Sequence, residues 1–136
     1  MILVPDSLAS DDVPNRRSRV ATPYFEGDVF ARHAELRITR DELTDSDNVE
    51  EFGRLLAGVC DDYSVHWVLV DVARLQYVTS SILSRFITLN RRVSRDGGGV
   101  VLVAPSEMFE DVLQATNLSD YFRVTPTLDA ARGALP

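Results

Sequence analysis

Three hydroxyl side chains stand together at Thr79, Ser80 and Ser81, immediately before a segment whose apolar residues recur at helical spacing. The sequence predicts a helix that begins on these hydroxyls and ends at Gly97. A serine in the first turn of a helix can present its hydroxyl to solvent, where phosphorylation adds about −1.5 to −2 charges. The helix N-terminus tolerates that charge, whereas a partner packed over the turn would have to desolvate it. The segment could therefore switch binding without a catalytic centre.

Helix capping is the structural alternative for the same three residues. Serine and threonine are preferred at helix starts because their side-chain oxygens accept hydrogen bonds from N–H groups that have no partner within the helix. Capping by Thr79 and phosphorylation at Ser80 are compatible, so both readings stay open. A role for Ser80 as an enzymatic nucleophile would need a base and an oxyanion site, and the sequence has no GxSxG segment.

No metal-binding or cofactor-binding pattern accompanies these hydroxyls. Cys60 is the single cysteine, and His33 and His66 are isolated from each other, so no spacing suits a metal ion. The glycine-rich loops that bind phosphates are missing, and all 14 basic residues are arginines, which excludes Schiff-base chemistry on lysine. We therefore expect no enzymatic activity, no catalytic residue, no metal and no cofactor.

Length and charge limit the possible partners. A chain of 136 residues with 45% hydrophobic content is long enough for one core and too short for two ordinary domains. Its formal charge of −7 disfavours binding to nucleic acid or to an anionic membrane. No apolar run approaches membrane-spanning length, and the opening residues lack the apolar core of a secretory signal. A cytoplasmic location is the expectation.

The chain divides into a short lead-in and one domain. Residues 1–22 mix Pro, Ser, Asp and Arg without periodicity, which predicts a flexible N-terminal lead-in, and residues 23–136 are expected to form the domain. Alternation over residues 34–38 predicts a half-buried strand, and Pro23 favours an edge strand just before it, because proline lacks the donor for ladder pairing.

Two nearly continuous apolar runs, at residues 67–72 and 100–104, are typical of parallel strands that are covered on both faces. They bracket the serine helix, and this strand–helix–strand order predicts a right-handed crossover.

Three more helices complete the predicted set. Apolar residues recur at helical spacing within 45–61 and predict one helix, with Asp47 as its N-terminal cap. A second helix begins at Ser106 and ends at Asn117, which is expected in a left-handed conformation. A short strand at 121–124 precedes a final helix that begins at Thr127. The sequence thus predicts an α/β fold with a small mixed sheet of four to five strands and about four helices packed on it.

The order of these segments resembles the STAS family, the sulphate-transporter and anti-sigma-factor-antagonist domain. The family pattern is an apolar strand with an acidic end, here VLVD at 68–71, followed by a turn of the form Asp-Ser-Ser-Gly-Leu-Gly that opens a helix, here TSSILS. GGGVVLVA matches the next strand, and FEDVLQATNLSDYF matches the following helix and strand. The resemblance covers roughly residues 24–136 and implies the STAS fold.

The resemblance also implies a function. In phosphorylatable anti-anti-sigma proteins, the first serine after the turn's aspartate is the phosphoacceptor, and a histidine-kinase-like anti-sigma factor modifies it. That serine corresponds to Ser80, with Ser81 and Thr79 as alternative acceptors. The implied protein is bacterial and regulates transcription by binding an anti-sigma factor or serine kinase, with association switched by phosphorylation; a homodimer is compatible with this role.

The turn departs from the family pattern at three positions. Thr79 stands where the family has aspartate, and Ile82 and Ser84 stand at its two glycine positions. These departures favour an alternative function, that of a phosphorylation-independent STAS scaffold or sensor-associated module in a multi-protein signalling complex.

Charge is segregated along the chain. Residues 41–62 hold eight acidic residues against Arg54, whereas the serine helix carries four arginines, at positions 85, 91, 92 and 95. A basic helix could meet an acidic partner, or it could be an ordinary solvated face. The predicted partner-binding residues are Thr79, Ser80, Ser81, Ser84 and Arg85.

Overall fold

The computed structural model describes the backbone of residues 2–4 and all of residues 13–136. The strands and helices alternate along most of the chain. In chain order they are β1 (Ile2–Val4), β2 (Ser18–Ala21), β3 (Phe25–Val29), β4 (His33–Ile38), β5 (Glu42–Leu43), α1 (Val49–Tyr63), β6 (Trp67–Asp71), β7 (Tyr77–Val78), α2 (Ser80–Ser94), β8 (Gly99–Val103), α3 (Glu107–Ala115), β9 (Arg123–Thr125) and α4 (Leu128–Gly133).

One mixed sheet organises the domain. Its strand order is β1-β2-β3-β4-β6-β8-β9, with antiparallel pairing from β1 to β4 and parallel pairing from β4 to β9. The α/β class and the four helices are confirmed within the described residues. The predicted number of four to five strands is wrong, because the described part of the chain forms a sheet of seven strands and β5 pairs with β7 in a separate two-stranded sheet.

The N-terminal side of the sheet accounts for most of this difference. Strand β2 lies within the range that was predicted as a flexible lead-in, so the sheet begins before the predicted boundary at residue 23. Residues 5–12 of that lead-in lie outside the described residues. The predicted edge strand after Pro23 is β3, but β3 pairs on both sides, because Pro23 lies in the turn before the strand begins.

Helices cover both faces of the sheet. Alternating side chains of the central strands pack against α1, α2 and α3, and Phe52 of α1 makes edge-to-face contacts with Tyr24, Phe25 and Phe86. On the opposite face, Ala131 of α4 packs in a smaller cluster over β6 and β8. The two central strands are therefore covered on both faces, as their apolar runs predict.

Side-chain caps fix three helix starts. Ser106 and Thr127 accept hydrogen bonds from the N–H groups three residues onward, at 3.1 Å each, which confirms both predicted caps. Asn117 has a φ of 59°, as predicted for the end of α3. The cap predicted at Asp47 is wrong by one residue: Asn48 caps α1, and Asp47 instead accepts from the Thr44 N–H at 2.9 Å.

A buried carboxylate ties the last helix to the sheet. Glu35 of β4 is 8% exposed, and Arg132 of α4 donates two hydrogen bonds to its two oxygens, each at 2.7 Å. The ring of His33 lies 3.0 Å from the same carboxylate. Burial opposes the charge of Glu35, but the hydrogen bonds from Arg132 and His33 outweigh it and lower the pKa to about 2.

Cys60 is a free, buried cysteine near the end of α1. Burial raises the pKa of its thiol to about 11. The side chain is therefore a small protonated group of the core, as its position in an apolar helical pattern predicts.

Candidate functional site

The predicted site residues lie at the carboxyl ends of the parallel strands. Loops that follow β4, β6 and β8 meet there, because parallel strands all end at the same edge of the sheet. Pairing of β5 with β7 joins the first two loops, and the Ser106 hydroxyl donates to the Leu75 carbonyl at 3.1 Å, which joins the third. Thr79, Ser80 and Ser81 thus begin α2 at a point where the three loops are held together by hydrogen bonds.

Thr79 precedes α2 in an extended conformation, with φ −88° and ψ 164°, and its side chain makes no capping hydrogen bond. The capping role predicted for its hydroxyl is therefore wrong. The hydroxyl donates to Asp45 Oδ1 at 2.9 Å, while its N–H donates to the Leu43 carbonyl at 3.2 Å. Thr79 consequently holds an exposed carboxylate from another loop beside the start of α2.

Ser80 is the first residue of α2, and its side chain is exposed. Within the described chain its hydroxyl has no hydrogen-bond partner, and the first turn of α2 contains no acidic residue. Backbone N–H groups at a helix start favour negative charge nearby. The hydroxyl is therefore accessible, at a position where the fold can accept a phosphate.

The neighbouring serines differ from Ser80. Ser81 is half-buried, and its carbonyl accepts a hydrogen bond from the exposed Ser84 side chain at 2.6 Å. The backbone carbonyl of Ser84 in turn accepts a hydrogen bond from the Thr88 hydroxyl at 2.9 Å. Of the three candidate acceptors, Ser80 is the one whose side chain is both exposed and uncommitted within the described residues.

The arginines of α2 lie away from this turn. Positions 91, 92 and 95 are in or beyond the last turn, roughly 16–22 Å along the helix from Ser80 at 1.5 Å per residue. Arg85 is closer, but its stem lies over Gly53 of α1. The acidic residues at this end of the molecule come from the loop after β4: exposed Asp45 accepts from Thr79, and exposed Asp41 pairs with Arg74 at 2.7 Å.

Two exposed apolar side chains lie on the same end of the molecule as the serine turn, and the sequence patterns did not reveal them. Tyr77 of β7 is 49% exposed, and Met108 in the first turn of α3 is 53% exposed. Helix α3 contacts β7, so both side chains lie on the same end of the molecule as Ser80. Tyrosine and methionine are enriched in protein–protein interfaces. This end therefore has the composition of a binding surface.

The histidines lie at the opposite edge of the sheet. His33 begins β4 and His66 immediately precedes β6, so each is separated from the serine turn by the length of a strand, roughly 15 Å. Neither is within reach of the Ser80 hydroxyl as a general base. Residues 13–136 also contain no group of three or more potential metal ligands.

A model of the STAS domain matches residues 33–131, which extend from β4 to α4 and make up more than half of the chain. The chain belongs to the STAS domain family. This match confirms the resemblance stated above. No curated protein has a significantly similar sequence.

Solved structures show the same fold. An anti-sigma-factor antagonist (STAS) domain protein from Planctomyces limnophilus superposes with a TM-score of 0.72 at 19% identity, covering 84% of this chain and 98% of its own. An anti-sigma factor antagonist from Mycobacterium paratuberculosis gives 0.69 at 17% identity, covering 85% and 97%. The phosphorylated form of the Bacillus cell fate determinant SpoIIAA gives 0.62 at 19% identity, covering 82% and 99%.

The STAS fold of this chain presents no membrane-spanning element in its described part, where every helix is too short or too polar to cross a bilayer.

Proposed function

We propose that this STAS protein is a non-enzymatic regulator that resembles the anti-sigma factor antagonists. It binds an anti-sigma factor that is also a serine kinase, and phosphorylation at Ser80 switches this association. Because such a kinase draws on ATP, the proposal places the protein in the bacterial cytoplasm. The observation that carries the proposal is the exposed Ser80 hydroxyl, which is uncommitted within the described chain at the start of α2.

The surroundings of Ser80 support a binding role. Exposed Tyr77 and Met108 provide apolar contact area on the same end of the molecule. A phosphate on Ser80 would place a hydrated dianion within that interface, close to the Asp45 carboxylate. Its desolvation and the like-charge repulsion would both weaken binding, while the helix N-terminus allows the fold to persist.

Two of the similar solved structures are those of SpoIIAA in its phosphorylated and its unphosphorylated form. This supports phosphorylation as a mode of regulation for the present chain. The departures at Thr79, Ile82 and Ser84 favour the second candidate, a scaffold that binds its partner without a phosphate cycle.

The test uses the kinase-like protein encoded nearest to this one. We expect ATP to produce a single phosphoserine at Ser80, located by mass spectrometry, with no modification of Ser80→Ala. Ser81→Ala is the matched control, and it should be modified like the wild type.

The consequence for binding is measured in the same pair. Ser80→Asp should bind about tenfold or more weakly than the wild type, because it places charge in a desolvated contact. If wild type and Ser80→Ala both remain unmodified and bind equally well, the scaffold function replaces the switch. If Ser80→Asp binds as tightly as the wild type, charge exclusion at the turn is the wrong mechanism.

A further inference from the structure

A groove between α1 and α2 begins about one helical turn after the serine segment. It encloses about 270 Å³ and is lined on α2 mainly by arginine and threonine and on α1 by small residues. Glycine and alanine at positions 53 and 57, one turn apart, form the α1 side. Since neither has a large side chain, the two helices leave space that the α2 side chains can enter.

Gly53 determines how Arg85 lies in this groove. A Cβ built at position 53 would be 2.8 Å from Cδ of Arg85 and 3.3 Å from its Nε, so the arginine stem occupies the space left by glycine. The Nε–H of Arg85 is buried there and has no hydrogen-bond partner within the described residues. A buried charged donor without an acceptor is unfavourable, so an anionic oxygen would stabilise this N–H once a movement of the Arg85 side chain brings the two together.

The other basic residues extend the groove along the same face. Arg85, Thr88, Arg92 and Arg95 are spaced by three, four and three residues and thus form one stripe on α2, with Arg91 beside it. Arg92 pairs with Asp61 of α1, whereas no ion pair occupies Arg85, Arg91 or Arg95 in the part of the chain described. In a chain with net charge −7, the lining of this groove thus contains four arginines and no acidic residue.

We propose that this groove binds an acidic segment of a partner protein. Its carboxylates contact Arg91 and Arg95 at the exposed end, and one of them accepts from the Arg85 Nε–H when the Arg85 side chain moves out of its buried position. The groove follows α2 away from Ser80, so one partner can cover the serine turn and the groove together. The identity of the partner rests on the proposed function. The chemistry of the groove does not depend on it.

The first test uses a fluorescent peptide of eight glutamates with the full chain at low salt. The net charge alone predicts repulsion, whereas the groove predicts binding that weakens as salt increases. We expect Arg91→Glu/Arg95→Glu to bind about tenfold more weakly. The matched control is Arg17→Glu/Arg32→Glu, which changes two exposed arginines outside α2 by the same total charge. It should lose much less affinity, because only its long-range repulsion of the peptide increases.

The second readout is specific to Arg85. Its Nε–H resonance should shift when the peptide is added, and Arg85→Lys, which retains the charge but lacks this N–H, should lose several-fold in affinity. No binding by the wild type, equal losses in both double variants, or an unmoved Arg85 resonance would overturn the inference.

Binding of the kinase-like partner to the two sets of variants distinguishes failure of this inference from failure of the proposed function. If that partner is sensitive to Ser80→Asp but binds Arg91→Glu/Arg95→Glu normally, the groove is wrong and the switch stands. If the peptide results hold and Ser80 variants have no effect on the partner, the switch is wrong and the groove stands.

Discussion

At the residue scale, Thr79 holds the carboxylate of Asp45, which comes from a separate loop, beside Ser80. Threonine occupies the position before the serine, and its hydroxyl holds the Asp45 carboxylate at 2.9 Å. The charge that an aspartate at position 79 would supply is therefore present in space, although it is missing from that position in the sequence.

This arrangement predicts that Asp45 contributes to modification of Ser80. Asp45→Asn should lower the rate of the proposed phosphorylation of Ser80 by the kinase-like partner about tenfold, because asparagine can keep the hydrogen bond from Thr79 but removes the charge. Asp41→Asn is the matched control, since Asp41 is an exposed carboxylate of the same loop that pairs with Arg74 instead. Phosphorylation rates measured by mass spectrometry would contradict the role if both variants behave alike.

The accessibility of Ser80 follows from the sequence pattern, since the apolar period that begins at Ile82 fixes where α2 must start. The nearness of Asp45, Tyr77 and Met108 does not follow from it. These residues lie in the segments that follow β4, β6 and β8, and the segments meet only when the three strands align their carboxyl ends. Such a surface requires the register of the sheet, which no local pattern contains.

At the element scale, close backbone contact fixes the connection between α2 and β8. A Cβ built at Gly98 would lie 1.5 Å from the carbonyl oxygen of His66, where the chain enters β6. Only glycine allows these two backbones to approach so closely. In α1, by contrast, a Cβ at Gly58 would meet nothing within 4 Å.

These two glycines predict opposite effects on stability. Gly98→Ala should lower the free energy of unfolding by about 2 kcal/mol or more, because the backbone must shift to relieve the clash. Gly58→Ala, the control in open space, should raise it by roughly 0.5–1 kcal/mol, since alanine is the better helix former. Urea unfolding measures both changes, and a neutral Gly98→Ala would show that the connection can relax.

The length of each element decides how well the sequence predicts it. The runs that form β6 and β8 are almost continuously apolar, and the helices have clear periodicity, so all were predicted with the right type. Strand β2 has four residues with Val20 alone fully buried, and β7 has two with Val78 alone buried. Such short patterns resemble loops, and pairing across the sheet makes them strands.

At the scale of the whole molecule, the Glu35–Arg132 pair links positions 97 residues apart in the chain and holds α4 against the face opposite α1 and α2. Hydrogen bonding to Glu35 also raises the pKa of Arg132, so the pair stays charged over the usual pH range. Because the Glu35 pKa is lower in the folded state, the charge of this carboxylate stabilises the fold above its ordinary pKa.

Acid should therefore weaken the fold through Glu35. The stabilisation, about 3 kcal/mol, is complete above pH 4.5 and is lost as the pH falls toward 2. Glu35→Gln removes this titration, so the difference in unfolding free energy between wild type and variant should shrink across that window. Urea unfolding at several pH values measures it, and a constant difference would mean that Glu35 has an ordinary pKa.

The labelling rate of the single thiol, Cys60, can report how often the end of α1 opens. Cys60 is 7% exposed and holds its proton well above neutral pH, so a thiol-labelling reagent can react rapidly only when the end of α1 opens. The single cysteine yields a single labelling rate, without any substitution to introduce a probe. Because α1 also forms one wall of the groove between α1 and α2, a bound segment that contacts both helices would lower the labelling rate of Cys60.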